Sequence, residues 1–279
     1  MADMSTIPLS AARAWDLAAQ GYAAFSGELM TAYAARALEL VEVGAGDRVL
    51  DLASGPGSLA LLAAPRVAEV QAIDFSEEML RLLRARAEAD GIGNIEARLG
   101  DGQKLPYADE YFDAAFSMFG LMFFPDRRKG FAEMFRVLRP GGVAVVSSWA
   151  PASESTLMRT MYAALCATGA ITEEPQPVYS SLENPEVFAS EMRDAGFAGV
   201  SIQRHTSTLS WPSSKAFLDH MLRGSAPMTL LRHDLGEQEW QRCEAVMRAY
   251  VDEHYRPNAP LTTTALLGIA HRPRNRRTR

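Results

Sequence analysis

The pattern of apolar and polar positions divides the chain into two rhythms. Short apolar runs suited to strands fall near 48–52, 68–73, 95–99, 112–118 and 142–149, with helical or loop stretches between them. Strand and helix in alternation predict a parallel sheet with helices on both faces. After the second run, Ser76 is a good N-cap and Glu77 and Glu78 suit the positive helix end. Met79, Leu83 and Ala87 then share one face until Gly91 stops the helix. Phe131, Met134, Phe135 and Leu138 repeat that signature before Arg139-Pro140-Gly141-Gly142 turns the chain into the fifth run. Ahead of the first strand, residues 9–42 read as helical. Trp15, Ala18, Ala19 and Tyr22 recur at helical spacing, Ser26-Gly27 interrupts, and Met30, Tyr33, Ala37 and Val41 form a second face ending at Gly44. Beyond 150 the alternation loosens. The pattern predicts a helical run over 158–166, a helix opened by Asn184-Pro185, strands over 200–206 and 262–271, and helices near 213–223 and 236–254.

The sharpest local signal is the stretch 48–60, Arg-Val-Leu-Asp-Leu-Ala-Ser-Gly-Pro-Gly-Ser-Leu-Ala. An apolar strand ends at small residues, and Gly55 and Gly57 let the backbone turn into a helix beginning near Ser58. That is how an open parallel sheet makes a nucleotide site. Asp74, closing the second apolar run, lies about 20 residues past the glycines, where a ribose hydroxyl is gripped. Both a dinucleotide and S-adenosylmethionine fit this much. Asp51 favours the second, because a pyrophosphate prefers bare backbone N–H groups to a nearby carboxylate. A ligand without phosphate and with a cationic amino-acid end suits it better.

These residues resemble the class I S-adenosylmethionine-dependent methyltransferases. The family's acidic-x-Gly-x-Gly-x-Gly motif reads Asp51-Leu-Ala53-Ser-Gly55-Pro-Gly57, with Ala53 in place of the first Gly. The second motif reads Ala72-Ile-Asp74-Phe-Ser-Glu-Glu-Met79, the third Gly100-Asp101-Gly102, and Leu138-Arg-Pro-Gly-Gly142 matches the turn before the fifth strand. The four matches cover residues 48–150. The resemblance implies a Rossmann-like α/β fold, a doubly wound, seven-stranded, mostly parallel sheet with its last strand antiparallel. It implies a single domain over 1–279, with an N-terminal helical cap (9–42), a cofactor-binding core (43–150), substrate-side lid insertions (151–183 and 206–260) and a disordered basic tail (272–279). It also implies roles. Asp74 would take the two ribose hydroxyls, Asp51 the loop N–H groups or the methionine ammonium, and Asp101 the adenine amine with Gly102 N–H nearby. Phe75 and Met79 would flank the adenine. Ala53, Ser54, Gly55 and Gly57 would form the loop, while Ser117, Met118, Phe119 and Met122 would lie under the methionine moiety. Tyr22, on the cap, would contact the cofactor.

Composition changes this picture little. With 279 residues, 48% hydrophobic and 22% charged, the chain has room for a proper core. A net charge of -6 argues against a broad nucleic-acid footprint, and the basic run at the end reads as a solvated tail. Cys166 and Cys243 form no metal or redox spacing, and no metal is expected. Neither a signal peptide nor a membrane span is legible, so a cytoplasmic protein is expected. Methyl transfer from a sulfonium needs a base only if the acceptor must lose a proton. His205, His220, His233, His254 and Tyr22 are candidates, His205 first. Position 117 opens Ser-Met-Phe-Gly rather than the Asn/Asp-Pro-Pro-Tyr/Phe of enzymes that methylate base amines, and no cysteine stands near it. The Met-, Leu-, Tyr- and Trp-rich stretches at 150–183 and 206–260 suit a small, fairly apolar acceptor. Two other readings stand beside this one: a protein that binds the cofactor without methyl transfer, as a cyclisation catalyst or non-catalytic partner, and a nicotinamide oxidoreductase.

Overall fold

The computed structural model describes residues 7–25, 27–171 and 181–274. Its centre is a seven-stranded sheet: β1 (Arg48–Leu52), β2 (Glu69–Asp74), β3 (Ile95–Leu99), β4 (Phe112–Met118), β5 (Leu138–Trp149), β6 (Ala198–Leu209) and β7 (Leu261–His271). The spatial order is β3-β2-β1-β4-β5-β7-β6. β1 to β5 pair in parallel, and β7 runs antiparallel between β5 and β6. The order reverses between β1 and β4, which opens a crevice at the carboxyl ends of those strands.

Alternation along the strands feeds two cores, one on each face. On one face, Leu50, Leu52, Ile73 and Val146 pack under Phe131 and Met134 of α5 (Arg127–Val137) and Phe188 and Met192 of α7 (Pro185–Asp194). On the other, Val49, Val70, Ala72 and Val145 meet α2 (Gly27–Glu39), the single turn of α3 (Ala60–Ala63) and α4 (Glu77–Ala89). Ser76 and Asn184 cap α4 and α7, their side chains accepting from the Met79 and Glu186 N–H groups.

Several boundaries differ from the sequence reading. The helix expected near Ser58 starts at Ala60 and passes at once into a 3₁₀ turn, Ala64–Arg66, because Pro65 removes a donor. β5 starts four residues early because Leu138 pairs with Phe112 across a bulge. α9 (Ala226–His254) holds an unexpected first half, broken by Gly236, whose φ of 72° and ψ of 164° suit only glycine. Residues 272–274, expected in a loose tail, are described, and Arg272 is anchored. Arg272 donates to the carbonyls of Phe135, Arg136 and Leu138 and to Glu110, while 275–279 lie outside the described residues.

The helices expected as substrate-side lids form a lobe with a core of their own. α6 (Thr156–Thr168), α8 (Ser214–Gly224) and α9 bury Leu165, Phe217, Trp240 and Met247 against Trp211 and Tyr255. Cys243 belongs to this core, as its helical face predicts. The lobe also abuts α1 (Ala12–Phe25), where Gly21 lies so close to the Arg223 carbonyl that any Cβ would run into it. Residue 26, the expected helix break, and residues 172–180 lie outside the described set. Among the described residues no helix is long and apolar enough to cross a membrane.

Candidate functional site

A cavity of about 370 Å³ occupies the crevice at the strand tips. Asp51, on β1, Asp74, ending β2, and Asp101, just past β3, all border it, as do Ala53, Ser54, Gly55, Phe75, Met79, Gly102, Met118 and Phe119. Tyr22 reaches it from α1.

Asp51 is nearly fully buried, and its Oδ2 accepts from the Ala60 N–H at 3.0 Å. Burial, opposed by that bond and assisted by Asp74, pushes its carboxyl up to about 7. Asp74 accepts twice from backbone, Oδ1 from Ser76 N–H at 2.9 Å and Oδ2 from Gly55 N–H at 2.8 Å. Burial is again the main cause of its rise to about 6, which backbone N–H groups oppose and Asp16 assists. Each carboxylate oxygen has two acceptor positions, so these bonds leave room for further donors. Asp101 is exposed and its Oδ1 takes the Gln103 N–H at 2.8 Å and Nε2 at 3.1 Å, a local turn.

The glycine loop shows how the chain accommodates Ala53. Its φ is 56°, the left-handed region that the family's glycine enters freely, at a cost of about 1–2 kcal/mol for an alanine. The methyl group sits against the α-carbon of Gly120, where a second Cβ would collide with it. Gly55, by contrast, faces open space.

Three expected cofactor residues and the expected base do not border the cavity. Gly57 turns away, and a Cβ there would strike Leu83 of α4, so packing explains it. Ser117 is fully buried beside Met118, with its Oγ accepting from Leu121 N–H at 3.2 Å. Successive side chains of a strand face opposite ways, which sends Met118 to the cavity and Ser117 inward. Met122 packs into the core, its sulfur 3.8 Å from Ser148 Oγ. His205 lies on β6, three strands beyond β4, with its ring edge-on to Tyr33, and does not border the cavity. Burial lowers its pKa. Tyr22 does border it, but burial and then Asp74 raise its phenol well above the ordinary value, which makes it a hydrogen-bond donor and a poor base.

The helical cap supplies a further lining residue beside Tyr22 that the sequence reading did not single out for the site. Trp15 borders it with its ring 5.7 Å from Tyr22 and 5.4 Å from Phe123, edge-on and tilted. Trp15 and Tyr22 stand seven residues apart on one helical face, so the signal was present, though a buried core explains the same spacing. Phe124, Met30 and Gln103 are further lining residues without a sequence signal. None of the described residues in 151–183 or 206–260 lines the cavity.

The lining residues fit S-adenosylmethionine. Ser54 borders the cavity through another atom, since its Oγ is fully buried and lacks a hydrogen-bond partner among the described residues. Three carboxylates border the cavity, and no Lys, Arg or His is among its lining residues. That set of acceptors suits a cation bearing hydroxyls and disfavours a pyrophosphate. Among the described residues no group of three or more His, Cys, Asp or Glu could hold a metal ion.

Known proteins place the chain in a family. A family model described as "Methyltransferase domain" matches residues 49–142. The chain is 36% identical over 164 residues to a demethylmenaquinone methyltransferase of Deinococcus radiodurans, covering 54% of this chain and 67% of that protein. It is 38% identical over 128 residues to an uncharacterized protein of Mycobacterium tuberculosis, covering 46% of each, so it matches about half the length of that relative. A putative methyltransferase from Bacillus halodurans superposes with a TM-score of 0.57 at 19% identity over 86% of this chain and 98% of that one, a likeness of fold. The chain belongs to the class I S-adenosylmethionine-dependent methyltransferase family.

Proposed function

We propose that the cavity binds S-adenosylmethionine and that the protein transfers its methyl group to a small, fairly apolar molecule. The carrying observation is the set of three carboxylates, Asp51, Asp74 and Asp101, around one cavity with no cationic side chain among its lining residues. In this reading Asp74 accepts from the ribose hydroxyls and Asp101 from the adenine amine. Charge-assisted bonds of this kind contribute roughly 1.5–3 kcal/mol each. Asp51 pairs with the methionine ammonium directly or through water. Phe75 and Met79 flank the adenine beside Gly102, and Met118 and Phe119 bound the methionine end.

When bound, S-adenosylmethionine supplies a methyl group already activated on sulfur. The chain's task is to hold donor and acceptor in line and keep water out, and positioning alone can supply ~7–11 kcal/mol. Tyr22 donates a hydrogen bond, and Trp15 and Phe123 close the roof. The apolar wall of Met30, Met118, Phe119 and Phe123 supports an apolar acceptor, in keeping with a relative named for demethylmenaquinone.

Calorimetry with S-adenosylmethionine and S-adenosylhomocysteine, followed by mass spectrometry of mixtures with a panel of small apolar acceptors, tests the reading. Binding together with formation of the demethylated product is expected. Loss of binding overturns the whole reading. Binding without demethylated product across the panel removes the transfer and leaves a cofactor-binding protein, and tight binding of NADH instead replaces the ligand.

A further inference from the structure

α1 is fastened to the strand tips as well as lying over them. Asp16, the residue after Trp15, reaches from α1 to the start of α4. Its Oδ1 accepts from Ser76 Oγ–H at 2.6 Å and from Glu78 N–H at 3.4 Å. Ser76 Oγ in turn accepts from Met79 N–H at 3.2 Å, and Ser76 N–H donates to Asp74 Oδ1. Asp74 Oδ2 then takes the Gly55 N–H. A continuous run of hydrogen bonds thus joins the roof helix, the cap of α4, the carboxylate ending β2 and the glycine loop.

Folding of α4 does not require this attachment, because Ser76 alone satisfies its cap. Asp16 is an exposed side chain on a helix whose small buried residues, Ala14 and Ala18, already seat it. What the bond adds is registry between two cavity walls, the α1 wall carrying Trp15 and Tyr22 and the loop carrying Asp74 and Phe75.

We propose that Asp16 is a positioning residue for the ligand of this cavity: it fastens α1 to the loop that carries Asp74, and its release from Ser76 accompanies ligand departure. The inference rests on the reading that S-adenosylmethionine and its demethylated product bind there. Dissociation of S-adenosylhomocysteine, followed by stopped-flow tryptophan fluorescence, tests it. Asp16→Ala should raise the off-rate about fivefold, the effect of one lost hydrogen bond, and leave the melting temperature of the ligand-free protein nearly unchanged. Asp16→Asn keeps an oxygen for the Ser76 hydroxyl and should dissociate close to the wild-type rate. In a Ser76→Ala background, Asp16→Ala should add much less than it does alone, since only the longer bond from Glu78 N–H is left to lose.

An unchanged off-rate in Asp16→Ala overturns the proposal. So does an Asn variant as fast as the Ala variant, or a melting temperature that falls equally with and without ligand, which marks a purely structural role. Failure of the wild-type protein to bind S-adenosylhomocysteine overturns the reading beneath the proposal and the proposal with it. Wild-type binding with unaltered variant rates overturns the proposal alone.

Discussion

Asp51 and Asp74 stand in the free protein as carboxylates poised to take up protons, because the crevice shields them from water more than its N–H groups compensate. For Asp51 the folded pKa of about 7 lies above the ordinary value of 3.8, so the folded state keeps a proton that the unfolded state has released. The associated stability is fully present below about pH 4 and is lost as pH rises through about 7. Relative to Asp51→Asn, the wild type should therefore lose stability across that window, read from melting temperatures at several pH values. S-adenosylmethionine, whose cationic end favours the ionised carboxylate, should raise the wild-type melting temperature more at the alkaline end of the window than at the acid end. A constant difference between the two proteins contradicts the assignment. Asp51, Asp74 and Asp101 were legible in the sequence because strand ends mark where a parallel sheet presents its side chains. Ser117 was not separable from Met118, since one residue of register decides which face a strand side chain joins.

At the level of elements, the glycine loop after β1 and the turn after β4 meet at the switch point, where the Ala53 methyl leaves no room for a side chain at position 120. Ala53 fills the space that Gly120 leaves. Gly120→Ala should destabilise the protein by about 1–3 kcal/mol, as overpacking does. Ala53→Gly in the same chain should remove at least half of that cost, because the two positions share one contact. Chemical denaturation of the four proteins in the cycle measures the coupling, and a cost that is the same in both backgrounds refutes the account. The strands and the caps of α4 and α7 were readable from periodicity and N-cap residues. The partner of each helix was not. Met, Trp and Phe at helical spacing in α6, α8 and α9 signal burial, but the same spacing serves a lobe core or a ligand wall equally well. His205 was misplaced for a related reason: local pattern does not reveal that β6 takes the far edge of the sheet, beyond β7.

For the whole molecule, the decisive feature is where its charge lies. The chain carries a net charge of -6, and acid side chains meet where the strand order reverses between β1 and β4, among apolar and aromatic walls. Such a crevice attracts a cation and orients it by hydroxyl contacts. The helical lobe buttresses α1, and α1 roofs the crevice, so the chain beyond the matched methyltransferase segment shapes the site from behind. The Asp74 carboxylate is the hinge of this account. Calorimetric titration of Asp74→Ala with S-adenosylmethionine measures its contribution directly: the account predicts affinity at least about tenfold below wild type, the loss of a charge-assisted hydrogen bond. Wild-type affinity in that variant would contradict it.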